Sequence, residues 1–398
     1  MDRTVVITGY GVVTPFGRGT ASFASTIFAG KHQFRAIQGF DVSHTYAKRG
    51  AEADIAGKSY ESFAKQCTDD ALLMAGLDKR ISSDQDKLRK AAVAVGNLGD
   101  GIRAEEFYRA RFMSDKHNGT KPTGIAERNP FAQADLVAAY IGSEARRLAF
   151  TNACVASANA IGYGFDLIRS GRADLVLAGG INVLHPLVYY NFDSSRAMAD
   201  DVVRPFSAER TGLLIGDGAA MLVMESEAHA RARSAMPIAE LCGWGISADG
   251  YHITRPEPNG EGLVRSMRMA LKQASCAVEE IDYVNAHGTG TPLNDIAETR
   301  AMKKMFGEHA YHIPVSSTKS TTGHMLEATG AVEAVISLYA MERGMMPPTA
   351  NYVGPDEELD LDYVTEGPRS KALHTVLSNS CAFGGNNCSL LFRRRDAG

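Results

Sequence analysis

The sequence predicts an α/β protein of two pseudo-repeated halves, with mostly parallel sheets covered by helices. Three observations predict it. Short apolar runs bounded by glycine alternate with longer segments at helical spacing. The order of these segments starts again after Pro237. Finally, 398 residues with 44% hydrophobic content are ample for a large core or for two domains. The repeat divides the chain into residues 1–235 and 236–398.

Taken in order, Thr4 to Pro15 reads as a strand ending in a Gly-rich turn. Its Gly9 and Gly11 lack the third glycine of a dinucleotide fingerprint, Thr14 stands there, and Pro15 interrupts, so that reading is rejected. Residues 60–78 form a helix with Phe63, Ala64, Cys67, Ala71, Leu72 and Ala75 on one face. Ala91 to Asn97 is a buried strand. Residues 100–150 read as helical and polar, with Arg103, Arg109, Arg111, Lys116 and Lys121 on a solvated or dimer-facing surface. Thr151 to Ser170 reads as a helix with Cys154 at its mouth and Gly171 as its C-terminal cap. Asp174 to Gly180 and Gly216 to Met224 are strands, and Glu225 to Met236 is a charged helix and linker.

The second half repeats the first. Ile238 to Ser247, with Gly243 and Gly245, mirrors Ile7 to Val13. Ile281 to Gly288 mirrors Ala91 to Asn97. Ser316 to Met341 mirrors the Cys154 helix, with His324 near the place of the cysteine. The repeat therefore brings two helix N-termini together.

Composition excludes several function classes. A net charge of −4 offers no nucleic-acid footprint. The apolar stretches at Val5 and at Val332 to Met341 are too short to span a membrane. Six scattered cysteines show no zinc-finger or CxxC spacing, and no metal cluster is expected. Few cysteines in a long chain without a leader-like stretch lead us to expect a cytoplasmic protein.

The candidate chemistry lies at strand ends and helix starts, where open α/β sheets place ligands. Cys154 at a helix N-terminus feels the positive end of the dipole and free N–H groups, which favour thiolate. His287 follows a strand in a Gly/Thr-rich turn with Thr289, Thr291 and Asp295. His324 follows Lys319 and precedes Glu333. Ser378 to Asn387 encloses Cys381, Phe383, Gly384 and Gly385 in a turn between strands. Each feature alone is equally a core cysteine, a loop histidine, a helix cap or a plain hairpin. Together they supply a thiol, two imidazoles and an ammonium.

These motifs resemble the β-ketoacyl-acyl-carrier-protein synthases of the elongating type, in the thiolase superfamily, over the whole chain. The resemblance rests on Ala153-Cys154, His287-Gly-Thr-Gly-Thr-Pro292, Lys319-Ser-Thr-Thr-Gly-His324 and Phe383-Gly-Gly385. It implies a thiolase-like, five-layered αβαβα dimer. It implies Cys154 as acyl acceptor, His287 and His324 as the decarboxylation pair, and Lys319 and Glu333 as the network behind His324. It further implies Thr289, Thr291, Gly384 and Asp295 around the pantetheine arm, and Phe383 as a gate. The product would be a β-ketoacyl chain formed by decarboxylative Claisen condensation, with no cofactor beyond the phosphopantetheine of an acyl carrier protein. The partner would be a second copy or a chain-length-factor-like subunit.

Departures from the elongating pattern stand at Asn152, Val155, Gly290, Asn294, Glu327, Thr329, Cys381 and Ala382, and are expected to crowd the acyl cavity and its gate. They leave both a fatty-acid and a specialised polyketide or polyene pathway open. A thiolase acting on coenzyme A esters and a non-elongating chain-length subunit are the rival readings. The interface is expected near strand 174–180. A basic patch of Arg204 and Arg210 is expected at the pantetheine entrance, to meet an acidic carrier.

Overall fold

A computed structural model describes residues 3–98 and 131–395. Ten strands form one twisted path: β1 (Val5–Thr14), β2 (Ala92–Gly96), β3 (Arg147–Phe150), β4 (Leu175–Asn182), β5 (Gly218–Ser226), β6 (Ala239–Ala248), β7 (Tyr283–Asn285), β8 (Val315–Ser316), β9 (Thr375–Ala382) and β10 (Asn386–Arg394). Their spatial order is β8-β7-β9-β10-β6-β1-β5-β4-β2-β3. Read outward from the β6–β1 junction, the two sides carry matching strands in matching order. β1, β5, β4, β2 and β3 on one side answer to β6, β10, β9, β7 and β8 on the other.

Six helices complete the layers: α1 (Tyr60–Met74), α2 (Phe131–Ile141), α3 (Ala156–Arg169), α4 (Glu261–Ala274), α5 (Pro292–Phe306) and α6 (Thr329–Arg343). Helices α1 and α2 cover the outer face of the first set of strands through Phe63, Cys67, Leu72, Val137 and Ile141. Helices α4 and α5 cover the second set through Leu263, Met267, Met302 and Phe306. Between the sets lie α3 and α6, whose Ile161, Phe165, Val332 and Ile336 share one apolar core with β1, β4, β5 and β10. The layers are therefore αβαβα, as expected.

The mirrored Gly-x-Gly pairs have a packing reason. A Cβ on Gly9 or Gly11 would collide with the carbonyl oxygens of Ala71 and Cys67 on α1. One on Gly243 or Gly245 would collide with those of Ala270 and Ser266 on α4. Only glycine lets each outer helix lie this close to its strand. In the middle layer Gly330 abuts Ala158, and Ser157 Oγ accepts the Ala331 N–H at 2.9 Å.

Three expectations need correction, and a further one, the strand expected near the interface, gains its place in the sheet. The sheets are mixed rather than mostly parallel. Strand β2 runs parallel to β3 and β4, and β7 to β8 and β9, but the remaining pairings are antiparallel. The cause is local in part: β9 and β10 are joined by a three-residue hairpin at Phe383–Gly385 rather than by a crossover helix. Second, the segment ending at residue 150 closes with strand β3 rather than as helix, while Arg103, Arg109, Arg111, Lys116 and Lys121 lie outside the described residues. Strand 174–180 is interior, flanked by β2 and β5, and the end strand on that side is β3. Third, Glu327 and not His324 answers to Cys154. Each follows a non-glycine residue with positive φ, Ala153 at 56° and Leu326 at 45°. Each sits in a single 3-10 turn, two residues before α3 or α6 begins.

Candidate active site

The chain places its thiol and both imidazoles at one cavity of about 340 Å³ between the two sets of strands. Its wall includes Cys154, His287, Thr289, Thr291, His324, Cys381 and Phe383. Three connections bring them there. The turn before α3 carries Cys154. The turn after β7 carries His287, held by a carboxylate beneath it: Glu298 Oε1 and Oε2 accept the His287 and Gly288 N–H groups at 2.8 and 2.7 Å. His324 is fixed by its own backbone, donating to the Leu214 carbonyl at 2.7 Å and accepting from Gly216 at 3.0 Å. Ser317 Oγ donates to the Gly288 carbonyl at 2.6 Å and ties the two histidine segments together.

The imidazole rings meet edge to face with centroids 5.2 Å apart. Leu326 donates its N–H to His324 Nδ1 at 3.0 Å, with Thr329 Oγ1 also 3.0 Å away. A nitrogen that accepts a backbone N–H carries the lone pair, so the ring proton sits on Nε2. Burial, with the nearby Lys319 charge, pushes both imidazoles well below the usual histidine range, and both are neutral. Behind them Lys319 Nζ donates to Glu333 Oε1 at 2.6 Å in a fully buried pair. Burial raises the Glu333 carboxyl to about 7 against the pull of Lys319.

Cys154 departs from expectation in one respect. The nearby backbone N–H groups of Cys154 and Phe383 favour thiolate, as does Lys319. Burial outweighs them and, with the Glu327 charge, pushes the thiol up to about 12. The dipole at the mouth of α3 does not overcome a dry, enclosed site.

The remaining candidates divide. Thr289 and Thr291 line the cavity and share a hydrogen bond of 2.8 Å. Phe383 stacks on Phe192 at 5.4 Å across the mouth. Gly384 stands outside the wall and, with Gly385, supplies the positive φ values of 84° and 75° that close the hairpin. Asp295 does not reach the cavity: it is buried and accepts the N–H groups of Phe206 at 2.8 Å and Gly290 at 3.3 Å, so it shapes the His287 turn. Among the departures, Asn294, Cys381 and Ala382 line the cavity. Gly290, Glu327 and Thr329 lie outside its wall and do not crowd it.

Arg204 and Arg210 are no entrance patch. Arg204 forks onto Asp201, and Arg210, with its side chain 5% exposed, is held by Asp356 and the Ser207 carbonyl. Among the described residues, the exposed arginines of the cavity wall are Arg196 and Arg255. Nothing in their local sequence marked them, because both stand in irregular loops.

The chain and its architecture match known proteins along the whole length. "Beta-ketoacyl synthase, N-terminal domain" describes residues 59–230, and "Beta-ketoacyl synthase, C-terminal domain" residues 238–353. A 3-oxoacyl-[acyl-carrier-protein] synthase 2 from Coxiella burnetii is 36% identical over 409 residues, covering 98% of this chain and 99% of that protein. The chain belongs to the β-ketoacyl synthase family. Among solved structures, this family member superposes on a chain of a type II PKS acyl-carrier protein in complex with its ketosynthase bound to the hexaketide. The TM-score is 0.93 at 31% identity, with both chains covered completely. The ishigamide ketosynthase/chain length factor gives a TM-score of 0.92 at 31% identity, again over 100% of both chains. Among the described residues of this synthase, no cluster of histidines, cysteines and carboxylates is arranged to hold a metal ion. No described helix is long and apolar enough to cross a membrane.

Proposed function

We propose that this β-ketoacyl synthase elongates a chain on Cys154 using a malonyl unit delivered by an acyl carrier protein. The observation that carries the reading is the meeting, in one cavity, of the Cys154 thiol with two neutral imidazoles. In the first half-reaction Cys154 Sγ attacks the thioester carbonyl, the Cys154 and Phe383 N–H groups stabilise the oxyanion, and the pantetheine thiol leaves with the proton. In the second, the malonyl C–C bond breaks and carbon dioxide departs. The enolate oxygen accepts hydrogen bonds from the His287 and His324 Nε2–H groups. Attack of the enolate carbon on the acyl-Cys154 carbonyl forms the new bond and releases the cysteine.

Thr289 and Thr291 hold the pantetheine arm along the cavity, and the stacked Phe383 moves aside to admit it. Lys319 and Glu333 keep the imidazoles neutral and oriented. The solved complexes of ketosynthases with a carrier protein and with a chain length factor support a carrier partner and a dimer, with a second copy or with a chain-length subunit. We place the enzyme in the cytoplasm, in a fatty-acid or specialised polyketide pathway.

Arg196 and Arg255 take the role first given to Arg204 and Arg210: they meet the acidic carrier at the cavity mouth. Charge reversal at both is expected to raise KM for the acyl carrier roughly five- to tenfold and to flatten its salt dependence. Turnover of an N-acetylcysteamine thioester stays at the wild-type rate. A KM that keeps its wild-type value and salt slope contradicts the assignment.

A further inference from the structure

We propose that Glu327, buried on the turn that packs against the cysteine turn, is a positioning residue that governs the reactivity of Cys154. The inference deepens the ketosynthase reading and rests on it for its purpose.

Four observations carry it. Glu327 occupies the turn that answers to the cysteine turn across the internal repeat, and both turns lead into helices α3 and α6, which pack on each other through Ala158 and Gly330. Its side chain is buried at 5% exposure, and Oε2 has no hydrogen-bond partner among the described residues. A buried carboxyl oxygen without a partner is costly, so packing alone does not account for the glutamate. The Glu327 turn packs directly on the Cys154 turn, so a charge on Glu327 raises the thiol, while Lys319, bound to Glu333, acts in the opposite direction. Lastly, the same turn supplies the Leu326 N–H that fixes the His324 tautomer, so thiol and imidazole are governed from one segment.

The ionisable groups around the thiol are thus Glu327, Lys319 with Glu333, the neutral His287 and His324, and Cys381. Only its own N–H relieves the burial of Glu327, and its carboxyl rises to about 7. It loses its proton while the thiol is still neutral, so the new negative charge falls on the thiol.

The test is the rate of iodoacetamide alkylation at Cys154, followed by peptide mass between pH 5.5 and 9.5 in the substrate-free full chain. In the wild type the logarithm of the rate should rise, flatten near pH 7 as Glu327 ionises, and rise again. In Glu327→Gln the shoulder should vanish and the rate at pH 8 should be on the order of tenfold higher, converging with wild type at pH 5.5. Glu327→Asp should restore the shoulder.

Thermal unfolding gives a second readout. The folded value of Glu327 lies above its unfolded one, so its contribution is present below about pH 4.5 and is lost as pH rises through 7. Wild type should therefore lose stability relative to Glu327→Gln across that window. Superimposable alkylation profiles overturn the proposal. Should Glu327→Gln fail to fold, a wild-type profile without a shoulder does the same. Alkylation needs no carrier, so a chain that fails to accept an acyl group sinks the ketosynthase reading and leaves this result standing.

Discussion

Cys154→Ala is expected to abolish acyl-enzyme formation and chain elongation but to continue releasing carbon dioxide from malonyl-carrier. The separation follows from the geometry. In the proposed mechanism acyl transfer needs the Cys154 thiol, on the turn before α3, whereas the enolate needs only the imidazoles of His287 and His324, which stand on two other connections. His324 is the sharper probe of the second step, because the Leu326 N–H commits its Nδ1 and leaves Nε2–H for substrate. His324→Ala should still accept an acyl group on Cys154, while decarboxylation falls by roughly 10²-fold or more, the usual loss for one oxyanion donor. Intact mass reports acylation, and labelled carbon dioxide reports decarboxylation. If Cys154→Ala stops decarboxylation while His324→Ala leaves it unchanged, the two roles are wrongly assigned.

The second large effect is on stability. Lys319 and Glu333 form a buried pair with 1% exposure on each side chain. Removing one partner strands the other without water. Lys319→Met should cost about 3–5 kcal/mol of unfolding free energy, read from urea titration. Glu333→Leu added to it should bring the protein back to within about 2 kcal/mol of wild type, because a buried pair and an apolar replacement are nearly equivalent in free energy. Function should not return with stability. The Lys319 charge acts on both imidazoles, and without it His287 and His324 lose part of what keeps them neutral. A double variant no more stable than Lys319→Met contradicts the pairing argument.

Much of this molecule was legible because its repeat is written in glycine. Gly9, Gly11, Gly243 and Gly245 are needed where helices touch strands, so packing left a mark that sequence comparison of the halves can see. Cys154, His287 and His324 were legible for a similar reason: each stands at a strand end or helix start, where irregular backbone is exposed to a ligand. What was hidden depends on three-dimensional sums. The sense of β5 and β10 is set by how connections return, not by residue periodicity. Strand β3 is four residues long with an exposed Arg147, too short for a period to register. The protonation of Cys154 is a contest between burial and local donors, and helix position alone shows only the donors. Arg204 and Arg210 looked free because Asp201 is near in sequence but its fork geometry is not, and Asp356 is far away in the chain.

The most direct test of the central claim is the intact mass of the chain after separate incubation with acyl-carrier protein and with acyl coenzyme A, followed by malonyl-carrier. The account predicts one acyl group on Cys154 from the carrier, discharged by malonyl-carrier as a β-ketoacyl-carrier two carbons longer. Acylation from coenzyme A with discharge by free coenzyme A would mark a thiolase, and no acylation from either donor would mark a non-elongating subunit; each contradicts it.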